Sequence, residues 1–206
     1  MKKQLYSKAG DLPAGTDIYI NEGDSYAAFT VISQSYRSDN ELALLIRKEP
    51  LPCTVEFMSN LYSAFDRDKL IRKRNLLNNA NVLLNEAYPT RFPNFMESTF
   101  QIVPVNKDGV EELSVFFLPS HGLLQSTCYS DSFEKERIAY KSGEPLNWLL
   151  QRETATASMR CVTDNGKILP VESKHRHYIR PCCCIDRDEP VFKEDIGREN
   201  PVWAIG

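Results

Sequence analysis

The stretch from Asn147 to Ile185, NWLLQRETATASMRCVTDNGKILPVESKHRHYIRPCCCI, limits this chain's folds more than any other. It carries three short apolar segments separated by polar turns. The first is Trp148-Leu149-Leu150. The second is Met159-Arg160-Cys161-Val162, followed directly by Asp164-Asn165-Gly166. Asn-Gly between two apolar runs is the strongest short-range hairpin signal, because a type I′ turn needs positive φ at both central residues. The chain resumes as a strand at Lys167-Ile168-Leu169-Pro170-Val171. The third segment is Tyr178-Ile179-Arg180-Pro181, which leads into Cys182-Cys183-Cys184-Ile185. The spacing predicts a small antiparallel sheet in which these segments are neighbours.

Upstream, Asp17-Ile18-Tyr19-Ile20 alternates polar and apolar at period two, and Ala28 to Ile32 is β-branched and aromatic. Leu42-Ala43-Leu44-Leu45-Ile46 is a continuous apolar run, short enough for a strand buried on both faces. The middle reads as helical. Phe57, Leu61 and Phe65 form one stripe, and a second helix starts near Asn78 or Asn79 and uses Ala80, Val82, Leu83, Leu84 and Ala87. Tyr88-Pro89 stops it, and Pro93 opens a third short helix through Phe95, Met96 and Phe100. Strand character returns at Gln101 to Val105 and at Leu113 to Leu118. Ser120 to Ser126 reads as one helical turn, and Thr127 to Glu136 as a polar loop. Strands, then helices, then many short strands indicate α+β. Residues 186–206 are charged and contain prolines, and are expected to pack on the surface as a tail, pinned by Val202-Trp203.

Composition excludes several classes. The chain has 206 residues, 42% of them hydrophobic, enough for one sizeable core. A net charge of −3 gives no overall positive field for nucleic acid or an anionic membrane. No apolar run approaches the ~20 residues of a membrane-spanning helix. Met1 to Lys8 is not followed by an apolar stretch, so neither a signal peptide nor a transmembrane segment is expected, and the location expected is cytoplasmic or virion-associated. The six cysteines include three in a row, which cannot bridge one another without severe strain. Clustered thiols without a signal favour a reducing compartment.

A series of segments, in order, resembles a bacterial and phage family known as a domain of unknown function. Leu12-Pro13-Ala14-Gly15-Thr16, with Ile20-Asn21-Glu22-Gly23 and Phe29-x-Val31-Ile32, is similar to its opening "LPxGxxVxIxEGG…FxV". Ala43 to Lys48 resembles its "LLLRK" strand. Asn79 to Phe92 resembles its "SxIxxWLNxxFLxxF" helix, and Val115 to Ser120 its "KVFLLS" strand. The closing "RIAYxNG…WWLRS…V…DG…GVRPAL" is similar to Arg137 to Gly143, Trp148-Leu149, Arg152, Val162, Asp164-Asn165-Gly166 and Tyr178 to Pro181. The resemblance covers most of residues 12–185. It implies a C-type-lectin-like fold, shared with formylglycine-generating enzymes and with variable receptor-binding proteins: two or three helices with a mixed, mainly antiparallel sheet. One such domain would span 1–185, with 49–78 as an insertion. The family's small residues after Arg-Pro are replaced here by Cys182, Cys183 and Cys184, its Gly before Ile179 by Tyr178, and its neutral loops by charged ones at Glu153 and between Glu172 and Arg176.

Chemistry offers few constellations. His175-x-His177 and Cys182-x-Cys184 each place two ligands on one side of a strand, and two His with two Cys suit tetrahedral zinc. The spacing departs from the usual zinc motifs, and buried thiols with loop histidines are the plainer reading. Cys128 with His121 is the other Cys/His pairing. Arg180 is a candidate anion contact, or a strand arginine paired internally. Trp148 offers a face for a sugar, or is core. The basic run Lys69, Arg72, Lys73 and Arg74 reads as a solvated helix face. No Gly-rich phosphate loop, HExxH or GxSxG is present, and the calcium-binding Glu-Pro-Asn pattern is missing. The expectation is a non-catalytic binding or structural module of bacterial or prophage origin. It would recognise a protein or glycan, with no nucleic acid, no membrane and no cofactor; an oligomer is compatible with it. The ligand surface would include Arg152, Glu153, Thr156, Arg160, Lys174 and Arg176. The alternatives are a metalloprotein or enzyme using His175, His177, Cys182 and Cys184, and a phage-tail assembly subunit.

Overall fold

The computed structural model describes residues 6–23, 25–36, 41–52, 54–55, 80, 83–93, 99–107, 110–129, 131–152, 159–171 and 177–205. Its dominant element is a nine-stranded mixed sheet. Eight strands follow one another in the order Tyr6–Lys8, Pro190–Glu194, Val202–Ile205, Asp17–Asn21, Tyr26–Tyr36, Leu42–Arg47, Cys182–Asp186 and Phe100–Gln101. The ninth, Phe116–Phe117, also pairs with Cys182–Asp186. Val202–Ile205 runs parallel to Asp17–Asn21, and the other pairings are antiparallel. The described chain is mainly β, with a few short helices.

The apolar run at Leu42–Arg47 is a central strand, buried on both faces. Ala43 and Leu45 enter one hydrophobic cluster, and Leu44 and Ile46 the other. Cys182–Asp186 pairs with it, Cys183 opposite Leu45 and Cys184 opposite Leu44, and shows the same two-sidedness. Cys183 and Ile185 join the first cluster, Cys182 and Cys184 the second. A side chain must alternate faces along a strand, so three successive thiols serve as three small apolar fillers of two cores. On the first face Tyr88, Phe92, Phe100 and Phe116 stack on one another with centroids 4.7 to 5.3 Å apart. Each such pair contributes about 0.5–1.5 kcal/mol beyond its buried area.

A second sheet has the order Ile168–Pro170, Arg160–Val162, Trp148–Leu149, His177–Tyr178, Thr54–Val55. Trp148 lies opposite Val162, and parallel to Tyr178 on its other side. Val162 lies opposite Ile168. The three late segments are therefore neighbours, but not in the all-antiparallel sheet expected: Trp148–Leu149 and His177–Tyr178 run parallel, and the third segment crosses to the main sheet at Cys182–Asp186. The hairpin turn differs from expectation. Asn165 does not have positive φ; only Gly166 does, at +85°. Gly166 N–H donates to Thr163 O at 2.9 Å, and Thr163 N–H donates to Lys167 O at 2.9 Å. That pattern is a three-residue loop closed by a glycine bulge, one residue longer than a type I′ turn.

Three other segments depart from the sequence reading. The run Leu113 to Leu118 is not one strand. Its first half, Val110–Ser114, pairs with Val103–Lys107 as a separate hairpin, and Phe116–Phe117 returns to the main sheet. Phe100, expected at the end of a helix, pairs with Ile185 as a strand, because its ring belongs to the aromatic stack. Residues 190–194 and 202–205 are not a surface wrap. They are strands of the main sheet, with Val191, Ala204 and Ile205 buried. Lys193 and Glu194 end the first of these short apolar sets and a charged, proline-bearing stretch separates it from the second, which hides both from a reading by composition.

Of the expected middle helices, Phe57 to Phe65 and Lys69 to Arg74 lie outside the described residues. The next survives as Ala80 and a π-helical turn at Leu83–Ala87, followed by a 3₁₀ turn at Pro89–Arg91. The expected helical turn is an α-helix at His121–Gln125, where Ser120 Oγ accepts from Leu123 N–H at 3.1 Å. The expected loop before Glu136 contains a 3₁₀ helix at Asp131–Arg137. Among the described residues no helix is long and apolar enough to cross a membrane.

Candidate functional site

The connection from His177–Tyr178 to Cys182–Asp186 leaves one sheet for the other, and its residue Arg180 anchors the site. Backbone bonds fix the crossing: Leu51 N–H donates to Ile179 O at 2.8 Å, and Arg47 N–H donates to Pro181 O at 2.9 Å. The Arg180 side chain is 2% exposed. Its Nε donates to Arg47 O at 2.8 Å, Nη1 to Arg137 O at 3.3 Å and Nη2 to Tyr129 Oη at 3.1 Å. The guanidinium also lies 5.2 Å from the Trp148 ring centroid and 5.3 Å from that of Tyr129. Trp148 Nε1 donates to the same Arg137 carbonyl at 3.0 Å. Arg180 is thus paired internally, with carbonyls and a phenol. Among the described residues no carboxylate lies within ion-pair distance of it.

Arg180 lines a cleft of about 530 Å³. One wall comes from the main sheet and its flanking turns: Gly15, Asp17, Thr30, Lys48 and Glu49. There Thr30 Oγ1 donates to Asp17 Oδ1 at 2.8 Å, and Lys48 Nζ donates to Asp17 Oδ2. That bond holds the Lys48 ammonium above the usual lysine range, against a smaller opposing effect of burial. The other wall comes from the segment that read as a polar loop: Cys128, Tyr129, Lys135, Glu136, Ile138 and, half-exposed, Tyr140. Burial raises the Cys128 thiol above the ordinary cysteine value. A thiol so shifted is a poor nucleophile at neutral pH.

The residues selected from sequence fall differently. Arg160 is exposed, its Nη1 3.3 Å from His121 Nδ1. Arg152 is 6% exposed, so it belongs to the interior and not to an open loop surface. Glu153, Thr156, Lys174, Arg176 and His175 lie outside the described residues. His177 is buried on a short strand of the second sheet, whereas Cys182 and Cys184 lie in the main sheet with no exposure. Burial drives the Cys182 thiol well above its ordinary value, which opposes the thiolate a metal would need. Among the described residues no group of three or more His, Cys, Asp or Glu gathers as a metal site. His121 turns its ring nitrogens to Gln125 and Arg160. Trp148, fully buried, is core.

The cleft draws on five separated stretches of chain, and none of its residues but Arg180 was a candidate from sequence apart from Cys128. Polar residues at inward-spaced strand positions, Asp17 and Thr30, were the available signal. No family model, no curated protein and no solved structure matches this chain.

Proposed function

We propose that this chain is a non-catalytic binding or structural module, of bacterial or prophage origin, with a C-type-lectin-like scaffold that recognises a protein or glycan. The observation that carries the reading is Arg180 at the cleft. Three hydrogen bonds and two rings hold a buried cation in one geometry, and no described carboxylate neutralises it. A rigid charge beside an open cavity favours recognition, because little freedom is lost when a partner arrives. The raised Cys128 thiol argues against nucleophilic use of the same cleft. Adjacency of the Trp148, Val162, Ile168 and Tyr178 strands supports the scaffold.

A glycan and protein array probed with the labelled chain tests the proposal. Saturable binding to one ligand class is expected. Absence of binding, together with turnover of a substrate, would overturn it. A phage-tail assembly subunit is the second reading. The hairpin of Val103–Lys107 and Val110–Ser114 favours it, since Val110 and Leu113 on it and Ile102 just before it are each at least 60% exposed. A defined oligomer in light scattering is its expected sign.

A further inference from the structure

We infer that the cleft takes an acidic sugar, whose carboxylate meets Arg180; this rests on the binding-module reading above. A guanidinium presents five N–H donors, and the three bonds formed by Arg180 leave donors unused. A buried cation whose hydrogen-bond partners are all neutral, with no described carboxylate within ion-pair distance, carries a desolvation cost that an arriving carboxylate offsets. The planar fork matches a carboxylate, and it is already fixed between Trp148 and Tyr129.

The remaining lining selects among carboxylates. Three cations, Lys48, Lys135 and Arg180, and three carboxylates, Asp17, Glu49 and Glu136, line the cleft. That balance does not attract a multivalent anion such as a phosphate ester. It suits a ligand with one negative group and many hydroxyls. Asp17 is engaged by Lys48 and Thr30, whereas Glu49 and Glu136 are acceptors suited to sugar hydroxyls. Tyr140, 49% exposed, offers a flat apolar face for a pyranose ring. An acidic peptide would supply the carboxylate but no hydroxyls, and Glu49 and Glu136 would repel its further charges. The cavity, about 530 Å³, accommodates a small saccharide.

Calorimetry on the full chain tests the inference with four probes: methyl glucuronide, its methyl ester, methyl glucoside and triglutamate. The acid should bind with 1:1 stoichiometry. The ester and the glucoside should bind about tenfold more weakly or worse, as loss of a charge-assisted hydrogen bond requires. Tyr140→Ala and Lys135→Glu, both at the surface, should weaken the acid by a comparable factor, and Arg180→Lys should do so where circular dichroism shows it folded. Equal affinity for acid and ester, tighter binding of triglutamate, or no binding of the acid would each overturn the inference. An array hit on a neutral glycan or a protein, unaffected by Tyr140→Ala, would leave the binding module standing and remove the acidic sugar alone.

Discussion

The phenol of Tyr88 donates a hydrogen bond to Oε1 of Glu22, a carboxylate that also receives Nε of Arg47 at 2.9 Å and Nη2 of Arg47 at 3.2 Å. The bond joins the turn after the π-helical segment to the end of the Asp17–Asn21 strand. Glu22 is the only described carboxylate paired with Arg47, whose Nη1 is spent on the carbonyls of Glu49 and Pro50. Glu22→Leu therefore strands a largely buried guanidinium and should cost about 3–5 kcal/mol. Tyr88→Phe removes one hydrogen bond while the ion pair persists, and should cost about 1 kcal/mol. Urea unfolding of the two variants checks the order. Equal losses would contradict the assignment of Glu22 as the centre of the network.

Alkali should weaken this fold. Burial raises Cys182 and Cys183 well above the ordinary thiol value of 9.0, and raises Tyr88 well above 10.0. Their folded-state values exceed their unfolded ones, so the unfolded chain loses protons first as pH rises. The stabilising contribution is whole below pH 9.0 and declines as pH climbs beyond it. Urea midpoints measured from pH 8 to 11 should fall. Replacing Cys182, Cys183 and Cys184 with Ala should lower stability at pH 8 yet flatten the decline, and an unchanged slope would refute the assignment.

Thiol labelling should divide the described cysteines. With Cys53 replaced by Ser, a disulfide reagent at pH 8 should modify Cys128 in the folded protein, slowly, since it is half-buried and its thiol is raised. Cys161, Cys182, Cys183 and Cys184 are buried and should react only at the rate of unfolding. Mass spectrometry of labelled peptides separates the two groups. Early labelling of Cys183 would contradict the packing.

The Asn-Gly loop should tolerate no side chain at its glycine. Gly166 has φ of +85°, and a Cβ there would come within 2.1 Å of the Glu134 carbonyl oxygen. Gly166→Ala combines backbone strain of about 1–3 kcal/mol with displacement of the Asp131–Arg137 helix. Asn165→Ala should cost less, because it loses side-chain bonds from Thr163 and Lys167 at an exposed turn. Thermal unfolding should rank the two in that order.

Strands were the legible part of this chain. Period-two alternation at Asp17 to Ile20, the apolar run at Leu42 to Ile46 and the Asn-Gly signal each mark a structure set by local pattern and burial. Where a strand changes sheets, at Ile102 and at Val115, no local signal announces it, because the apolar pattern continues while the partner changes. The site was less legible. Arg180 stood out by its place beside Pro181, but Lys48, Glu136 and Tyr140 acquire meaning only when distant turns converge. Arg152 misled in the opposite direction: a charged residue next to a polar stretch is ordinarily exposed, and here it is buried.

The insertion of Val202–Ile205 between Asp17–Asn21 and Pro190–Glu194 has a consequence for synthesis. Among the described residues, the strand at Tyr6–Lys8 attaches to the main sheet only through Pro190–Glu194. During synthesis Tyr6–Lys8 must wait for Pro190–Glu194, and the flank of Asp17–Asn21 that Val202–Ile205 covers stays open meanwhile. Closure over such sequence separation is slow, and an unpaired flank is a site for mispairing. The nascent chain therefore depends on Val202–Ile205 and Pro190–Glu194 to cap the edge that Asp17–Asn21 leaves open until they emerge.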